Sequence, residues 1–225
     1  MSKITTLKNY YELSKTVADI VETQLKENRL SKLALPTGST PLGMYKELVK
    51  RKLDWELAIT FNLDVYLMNI DHPESYQSYM QKNLFNSINI YPDHCNFPFR
   101  PTKAFEYKIA SYMGIDLCIL GIGNNGHIAF NEPGSLFNSR TRVVDLSEQT
   151  IKDNSRFFDS EDEVPKQAIT MGLETIMESK KIVLMANGKH KLNILNVAMN
   201  DEVTIAVPAS ILQQHADIEV FYCDE

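Results

Sequence analysis

The chain has 225 residues, 44% of them hydrophobic and 23% charged, which is typical of one large globular domain. A formal net charge of -6 argues against a nucleic-acid partner, since no basic footprint is expected. The three cysteines, Cys95, Cys118 and Cys223, form neither a disulfide framework nor a metal-ligand cluster, so a cytoplasmic location is expected. No apolar signal core or membrane-length stretch is present, so no membrane partner is expected.

Helical and strand patterns alternate through the first half of the chain. Apolar residues at helical spacing, short apolar runs and capping residues mark the elements. In chain order they predict a helix over about Tyr10–Glu27, a strand at Leu33–Leu35, a helix from Pro41 to about Lys50, a strand at Leu57–Phe61, and a helix through about Phe85 that Asp71 and Glu74 would cap.

The second half continues the alternation. It predicts a helix near Ala104–Met113, a strand ending at Leu120, a strand at Ile182–Ala186, a helix over Lys189–Met199 and a terminal strand at Ile218–Tyr222. Strands that alternate with helices indicate an α/β fold with a doubly wound, mostly parallel sheet flanked by helices in a single domain.

The segment Thr37-Gly38-Ser39-Thr40-Pro41 joins a predicted strand to a predicted helix. Thr40 is placed to cap that helix, and Pro41 fits its first position, where a missing N–H costs nothing. Free N–H groups at the helix start and the nearby hydroxyls would form an anion site, with Gly38 letting the backbone approach a ligand. The Gly-Lys-Ser/Thr ending of a Walker loop is absent, and an ordinary capped turn fits the same residues.

Asp64 follows the apolar strand that ends near Phe61. A carboxylate at such a place can act as general base for a carbon acid if its surroundings are partly dry. An aspartate that caps a turn is the alternative interpretation.

The loop from Gly121 to Pro133 holds three glycines, three amides, one histidine and one carboxylate. An imidazole can take and give a proton near neutral pH, so His127 is the candidate proton shuttle, and Glu132 could orient it as a carboxylate does in a triad. A solvent-exposed histidine is the alternative. The Gly-x-Gly-x-x-Gly spacing formally matches a dinucleotide fingerprint, but the helix that should follow is replaced by a turn-like sequence, so a dehydrogenase is disfavoured.

Two basic segments complete the candidate site. Arg156 lies beside aromatic residues, and the segment Gly188-Lys189-His190-Lys191 lies where a strand is followed by a helix. Arg156 could hold a phosphate with two parallel hydrogen bonds, and a lysine of the second segment could supply a point charge, although each residue alone also fits a solvated surface. The other histidines, at positions 72, 94, 190 and 215, lack metal-type spacing and are expected to be structural, so neither a metal nor a cofactor is expected.

Several blocks of the sequence together resemble one known family. They are Leu35-Pro36-Thr37-Gly38-Ser39-Thr40-Pro41, Phe61-Asn62-Leu63-Asp64-Val65-Tyr66, His72-Pro73-Glu74-Ser75-Tyr76, Gly126-His127-Ile128-Ala129-Phe130-Asn131-Glu132-Pro133 and Asn154-Ser155-Arg156-Phe157-Phe158. In this order they resemble the glucosamine-6-phosphate deaminases, also called glucosamine-6-phosphate isomerases, over almost the whole chain. The resemblance implies a Rossmann-like fold in which residues 1–225 form a single sugar-phosphate deaminase/isomerase domain that uses no nicotinamide.

The resemblance also implies a reaction, in which glucosamine 6-phosphate and water give fructose 6-phosphate and ammonia. By this resemblance Asp64 removes the proton from carbon 2, and His127 opens the sugar ring with Asn125 and Glu132 as partners. The phosphate would be held by Ser39 and Thr40 together with Arg156 and Lys191, and Thr37 and Gly38 belong to the same substrate-binding segment.

Some positions depart from the pattern of the family. Some members carry Asp at position 125, and a glutamate commonly stands where this chain has Val65. The segment Leu67–Ile70 is also unusual, and both changes bear on the choice of sugar. Longer members include allosteric hexamers, but the chain stops at Glu225, and Val144 stands where those members carry a basic residue. We therefore expect a monomer or small homo-oligomer rather than an allosteric hexamer.

Three further functions remain compatible with the resemblance. Galactosamine 6-phosphate differs from the gluco sugar in the orientation of one hydroxyl, which the sequence does not resolve. A 6-phosphogluconolactonase-like hydrolase is disfavoured by Asp64 and by the Asn-Glu-Pro that follows the histidine. A sugar-phosphate-binding regulator on a degenerate enzyme fold is disfavoured because Asp64, His127 and Glu132 are all retained.

Overall fold

The computed structural model describes residues 4–225, and its main feature is a seven-stranded sheet in which all neighbouring strands run parallel. The strands are β1 (Ile4–Thr6), β2 (Lys32–Leu35), β3 (Ile59–Asn62), β4 (Asp64–Tyr66), β5 (Cys95–Asn96), β6 (Leu117–Leu120), β7 (Arg142–Asp145), β8 (Gln167–Thr170), β9 (Lys181–Asn187) and β10 (Ile218–Cys223). Across the large sheet their order is β1-β10-β9-β6-β2-β3-β5.

Helices cover both faces of this sheet. They are α1 (Tyr10–Glu27), α2 (Leu42–Arg51), α3 (Tyr76–Asn83), α4 (Thr102–Ser111), α5 (Glu148–Asn154), α6 (Leu173–Met177) and α7 (Leu192–Asn200). Buried side chains of α1, α2 and α3 pack on one face, and those of α4, α6 and α7 pack on the other. The doubly wound, mostly parallel α/β architecture predicted from the sequence is therefore confirmed.

The central strand β6 shows why the sheet needs helices on both sides. Successive side chains of a strand point to opposite faces. Leu117 and Ile119 enter the core against α1 and α2, whereas Cys118 and Leu120 enter the core against α4 and α7. All four side chains are fully buried. The sequence of the strand is therefore continuously apolar and does not alternate between apolar and polar residues.

Helix α1 has the bounds that its sequence pattern predicts. Asn9 caps it by accepting a hydrogen bond from the backbone N–H of Glu12. Leu13, Val17 and Val21, spaced by four residues, are fully buried against the sheet. Burial of each such side chain is worth about 1.5–3 kcal/mol, so this stripe fixes the face that α1 turns inward. Within residues 4–225, no helix is both long and apolar enough to cross a membrane.

The predicted capping pair Asp71 and Glu74 is wrong. Helix α3 begins at Tyr76, and Ser75 is its cap because the Ser75 hydroxyl accepts from the N–H of Ser78. The same hydroxyl donates to the carbonyl of Ile70, which holds the preceding residues in turns and prevents an earlier start.

The predicted helix over Lys189–Met199 begins later than expected. Gly188 has a φ of 95°, and residues Lys189–Lys191 form a 3₁₀ turn before α7 starts at Leu192.

A second, three-stranded antiparallel sheet was not predicted. Its order is β4-β8-β7, and its strands are short, with polar residues at several positions. Tyr66 of β4 packs there with Phe130, Leu146 and Ala168. Strand β4 follows β3 after one residue, Leu63. The chain therefore leaves the large sheet there and enters the small sheet at Asp64.

Candidate active site

One cavity of about 410 Å³ lies at the carboxyl edge of the large sheet. Its walls come from the segments that follow β2, β3, β6 and β9, together with the region of α5. This is the edge where ligands bind in open α/β sheets. The cavity brings together eight of the ten predicted site residues, namely Thr37, Gly38, Ser39, Thr40, Asp64, His127, Arg156 and Lys191. The other two, Asn125 and Glu132, lie behind His127 and reach the site through it.

Asp64 is a buried carboxyl group, with 6% of its surface exposed. Burial raises the pKa of this group to about 7, because the charged form loses its hydration. Tyr66 and Tyr76 lie close to this carboxyl group, and the rings of Tyr76 and Phe130 stack at 6.0 Å. A carboxyl group with this pKa can release or take up a proton near neutral pH, as the predicted base would need to do.

His127 is backed by Glu132. The His127 Nδ1 atom lies 3.5 Å from Glu132 Oε2, an ion-pair distance, and this leaves Nε2 as the ring nitrogen for a ligand. Asn125 Nδ2 donates to the same carboxylate oxygen at 2.7 Å, and Thr150 Oγ1 donates to the other oxygen. Burial alone would raise the pKa of Glu132, but the interactions with His127, Thr150 and Asn125 outweigh it and lower the pKa to about 2. Glu132 therefore stays a carboxylate on the Nδ1 side of the imidazole.

The backbone around His127 is shaped to hold its ring. A Cβ atom on Gly123 would lie 2.2 Å from His127 Cε1, so the ring rests directly against the glycine backbone. Ala129 adopts a φ of 50°, a left-handed conformation that costs energy for a residue with a Cβ. The neighbouring Asn131 is fully buried, and its amide donates to the carbonyls of Ile128 and Met171. These bonds offset the strain and keep the loop in one shape.

Three tyrosine hydroxyls hold the segment Pro36–Thr40 in place. Tyr45 donates to the Pro36 carbonyl, Tyr79 to the Gly38 carbonyl at 2.6 Å, and Tyr10 to the Thr40 carbonyl at 2.8 Å. With their carbonyls engaged outside the cavity, the N–H groups of residues 38–40 make no hydrogen bond within the described chain. Successive free N–H groups next to a glycine at φ 93° can bind an anion, as the sequence predicts for this segment.

The source of these donors differs from the prediction. Helix α2 does not offer its first amides, because Leu42 N–H donates to the Ser39 carbonyl and Gly43 N–H donates to the Tyr10 hydroxyl. The predicted capping role of Thr40 is also wrong. Pro41 occupies the cap position with no side-chain bond, and the Thr40 hydroxyl donates to Asn187 Oδ1 at 2.7 Å.

The basic residues Arg156 and Lys191 line the same cavity as this segment. Arg156 is exposed, and its guanidinium lies 4.8 Å from the centre of the Phe157 ring. Lys191 is half-buried; burial, reinforced by Arg156 and opposed by Asp153, lowers its pKa to about 8. Lys191 is thus mostly charged at neutral pH. In residues 4–225, no group of three or more His, Cys, Asp or Glu side chains is arranged to hold a metal ion.

Several residues of the cavity were not predicted from the sequence. They are Tyr76, Thr150, Asp153, Asn154, Asn187 and His190. His190, predicted to be structural, lines the cavity next to Lys191. Asn187 ends β9, and the rule that ligands bind where parallel strands end could have identified it. Thr150 gave no signal, because nothing near it in sequence indicates that α5 packs against Glu132.

Comparisons with known proteins agree with this geometry. Residues 8–221 match the family described as glucosamine-6-phosphate isomerases/6-phosphogluconolactonase. A glucosamine-6-phosphate deaminase of Clostridium novyi is 47% identical over 228 residues, covering 96% of this chain and 95% of that protein. The deaminase of Thermoanaerobacter pseudethanolicus is 46% identical over 224 residues, covering 94% and 88%.

Solved structures extend the comparison. A monomeric glucosamine-6-phosphate deaminase has a TM-score of 0.95 at 38% identity, covering 98% of this chain and 97% of that one. The 6-phosphogluconolactonase of Thermotoga maritima has a TM-score of 0.80 at 21% identity with full coverage of both chains, and it shares the fold alone. The chain therefore belongs to the family of glucosamine-6-phosphate isomerases, also called deaminases, that its sequence motifs resemble.

Proposed function

We propose that this protein converts glucosamine 6-phosphate and water to fructose 6-phosphate and ammonia. One observation carries the proposal: a single cavity combines a buried base, an imidazole backed by a carboxylate, and an anion-binding segment with two cationic side chains. An amino-sugar phosphate needs all three. The deaminases that are 46–47% identical to this chain support the same substrate.

His127 is the residue that opens the sugar ring in this proposal. Opening a pyranose requires a group that takes the proton of the C1 hydroxyl and gives one to the ring oxygen, and a neutral imidazole can do both. Glu132 holds the Nδ1 side of the ring, so Nε2 faces the sugar. Asn125 and Thr150 keep the carboxylate of Glu132 in position by donating to its two oxygens.

Asp64 then acts on the open-chain sugar. Its carboxylate removes the proton from C2 while the aldehyde oxygen gains one, which gives a C1–C2 enolamine. Return of a proton to C1 and loss of one N–H proton then leave a hydroxyl on C1 and an imine at C2. Water hydrolyses this imine to the ketose and ammonia. A base is most effective when its pKa lies near the working pH, and burial places that of Asp64 at about 7.

The phosphate supplies binding energy away from the reacting carbons. The N–H groups of residues 38–40, the hydroxyls of Thr37 and Ser39, and the side chains of Arg156 and Lys191 all border the cavity. Anchoring the phosphate there fixes C1 and C2 relative to His127 and Asp64, which lowers the entropic cost of reaching the transition state.

The proposal covers the chain as one sugar-phosphate deaminase/isomerase domain that works as a monomer. The solved deaminase with a TM-score of 0.95 to this chain is monomeric, which supports this part of the proposal. A cytoplasmic location stays a prediction, consistent with three cysteines that form no disulfide.

The test is ammonia release from the purified protein with glucosamine 6-phosphate and galactosamine 6-phosphate side by side. We expect a clear preference for the gluco sugar, with fructose 6-phosphate formed in equal amount. Preference for the galacto sugar would keep the chemistry and change the substrate. Release of ammonia from neither sugar would refute the proposal, and a lactonase assay would follow.

A further inference from the structure

Asn187 is a cavity residue that no sequence motif indicated. It is the last residue of β9, and it pairs with Cys223 of β10. Its Oδ1 atom accepts the 2.7 Å hydrogen bond from the Thr40 hydroxyl. Thr40 follows β2, and β6 lies between β2 and β9 in the sheet, so this bond passes over the carboxyl end of β6.

The space under this bond is open. The residue that follows β6 is Gly121, and a Cβ atom built on it would meet nothing within 4 Å. The hydrogen-bonded pair of Thr40 and Asn187 therefore borders open space that belongs to the cavity.

The hydrogen-bond donors of Thr40 and Asn187 determine which ligand atoms the pair can bind. A carboxamide has one acceptor oxygen and two N–H donors, and a hydroxyl has a single hydrogen. The Thr40 hydroxyl donates its one hydrogen to Asn187 Oδ1, so it has no hydrogen to donate to a phosphate. Within residues 4–225, Asn187 Nδ2 makes no hydrogen bond, and both of its N–H groups remain for a ligand.

The charges and free N–H groups around Asn187 favour an anionic ligand. Lys191 and His190 lie on the turn that follows Asn187, and the free N–H groups of residues 38–40 belong to the segment that contains Thr40. A phosphate oxygen accepts hydrogen bonds and cannot donate them when fully ionised. The N–H groups of Asn187 complement it, whereas a lone carbonyl oxygen would repel it.

We propose that Asn187 Nδ2 donates a hydrogen bond to the phosphate of the substrate, and that Thr40 is the positioning residue that orients the carboxamide. This inference rests on the proposed sugar-phosphate function and makes it more specific. The donor to the phosphate is then Asn187, whereas the family resemblance implied Thr40.

The first test replaces Asn187 with its isosteric acid. Asn187→Asp keeps an oxygen for the Thr40 hydroxyl but exchanges the N–H groups for a negative charge. We expect the affinity for inorganic phosphate, measured by titration calorimetry, to fall about tenfold or more. The matched control is Asn196→Asp, an exposed residue of α7 outside the cavity, which should bind phosphate like the wild type. Unchanged affinity in Asn187→Asp would overturn the proposal.

The second test asks which of the two residues is the donor. Asn187→Ala removes the N–H groups, whereas Thr40→Val removes only the hydroxyl that orients them. We expect the larger loss of phosphate affinity in Asn187→Ala. A larger loss in Thr40→Val would mean that the Thr40 hydroxyl itself contacts the phosphate, and the assignment would be wrong.

Calorimetry keeps this inference separable from the proposed reaction, because phosphate binding needs no turnover. Wild-type protein that releases ammonia while Asn187→Asp binds phosphate normally would refute the role of Asn187 alone. Wild-type protein that releases no ammonia, but whose phosphate affinity depends on Asn187, would refute the reaction and retain the binding role. Failure of the wild type to bind phosphate would refute the role of Asn187 directly.

Discussion

Asp64 shows how burial of one residue tunes both chemistry and stability. Its carboxyl group lies among aromatic side chains, and burial alone raises its pKa to about 7. The motif that contains Asp64 predicts a base, but its pKa depends on burial, to which other parts of the chain such as Tyr76 of α3 contribute. The sequence therefore predicts the residue, whereas its environment depends on the fold.

The raised pKa predicts the pH dependence of the reaction. Asp64 must be ionised to remove the C2 proton, so kcat/KM should fall about tenfold per pH unit below pH 7. Initial rates of ammonia release between pH 5 and 9 would measure this. An acid limb centred near pH 4, the value of an ordinary carboxyl group, would contradict the assignment.

The same burial predicts that Asp64→Asn is inactive yet more stable. The folded-state pKa, about 7, exceeds the unfolded value of about 3.9, so the folded protein binds the proton more tightly. The wild type therefore loses stability as the pH rises from 4 to 7, by up to about 4 kcal/mol, whereas the asparagine variant does not. Urea unfolding at pH 8 and pH 4 should show a higher free energy of unfolding for Asp64→Asn only at pH 8. A less stable variant at pH 8 would contradict the prediction.

Two glycines of one loop should respond differently to the same added methyl group. In Gly123→Ala the new Cβ would lie 2.2 Å from the His127 ring, so the ring must move, and kcat should fall about 100-fold. In Gly121→Ala the Cβ meets nothing within 4 Å, so the fold should be unaffected and the methyl group should only take up substrate space and raise KM. Steady-state kinetics and thermal melts of both variants measure the contrast. Equal kcat values would refute the packing of His127 on Gly123.

At the scale of elements, three helices act together on one loop. Tyr10 begins α1, Tyr45 lies in α2 and Tyr79 in α3, and all three hydroxyls donate to carbonyls of residues 36–40. The loop residues were predictable because they lie between a clear strand and a clear helix. The role of the tyrosines was not predictable, because the carbonyls that they bind are 9 to 41 positions away in sequence. Helical spacing indicates only which face of its helix each tyrosine lies on.

Tyr79→Phe tests this arrangement. Loss of the 2.6 Å bond to the Gly38 carbonyl should cost about 1 kcal/mol of stability and loosen the N–H groups that hold the phosphate. We expect KM to rise several-fold while kcat changes little, as measured by steady-state ammonia release. Tyr91→Phe, which loses an exposed bond to Glu56, is the matched control and should behave as the wild type. A normal KM in Tyr79→Phe would show that this hydroxyl does not position the loop.

At the scale of the whole molecule, we expect catalysis without a second subunit, because the deaminase with a TM-score of 0.95 to this chain is monomeric. Sedimentation velocity should give a single species of 25.7 kDa over a wide concentration range, and activity should be proportional to protein concentration. A hexamer, or activity that rises cooperatively with substrate, would contradict this expectation.

The sequence by itself determined the α/β class, most element positions and the chemical identity of the site. Periodic apolar patterns are local, and the blocks around Asp64 and His127 carry reactive residues at fixed short spacings. It did not predict the small antiparallel sheet, because strands as short as β4 and β7 carry little periodic signal.

Only the tertiary structure decided what surrounds the reactive groups. The hydrogen bonds of Thr40 with Asn187 and of Thr150 with Glu132, and the placement of Tyr76 beside Asp64, join residues from different elements. Such contacts depend on how the helices and sheets pack around the cavity rather than on any local pattern. They set the pKa of the base, the orientation of the imidazole and the direction of each hydrogen-bond donor, which is why these properties appeared only in the folded chain.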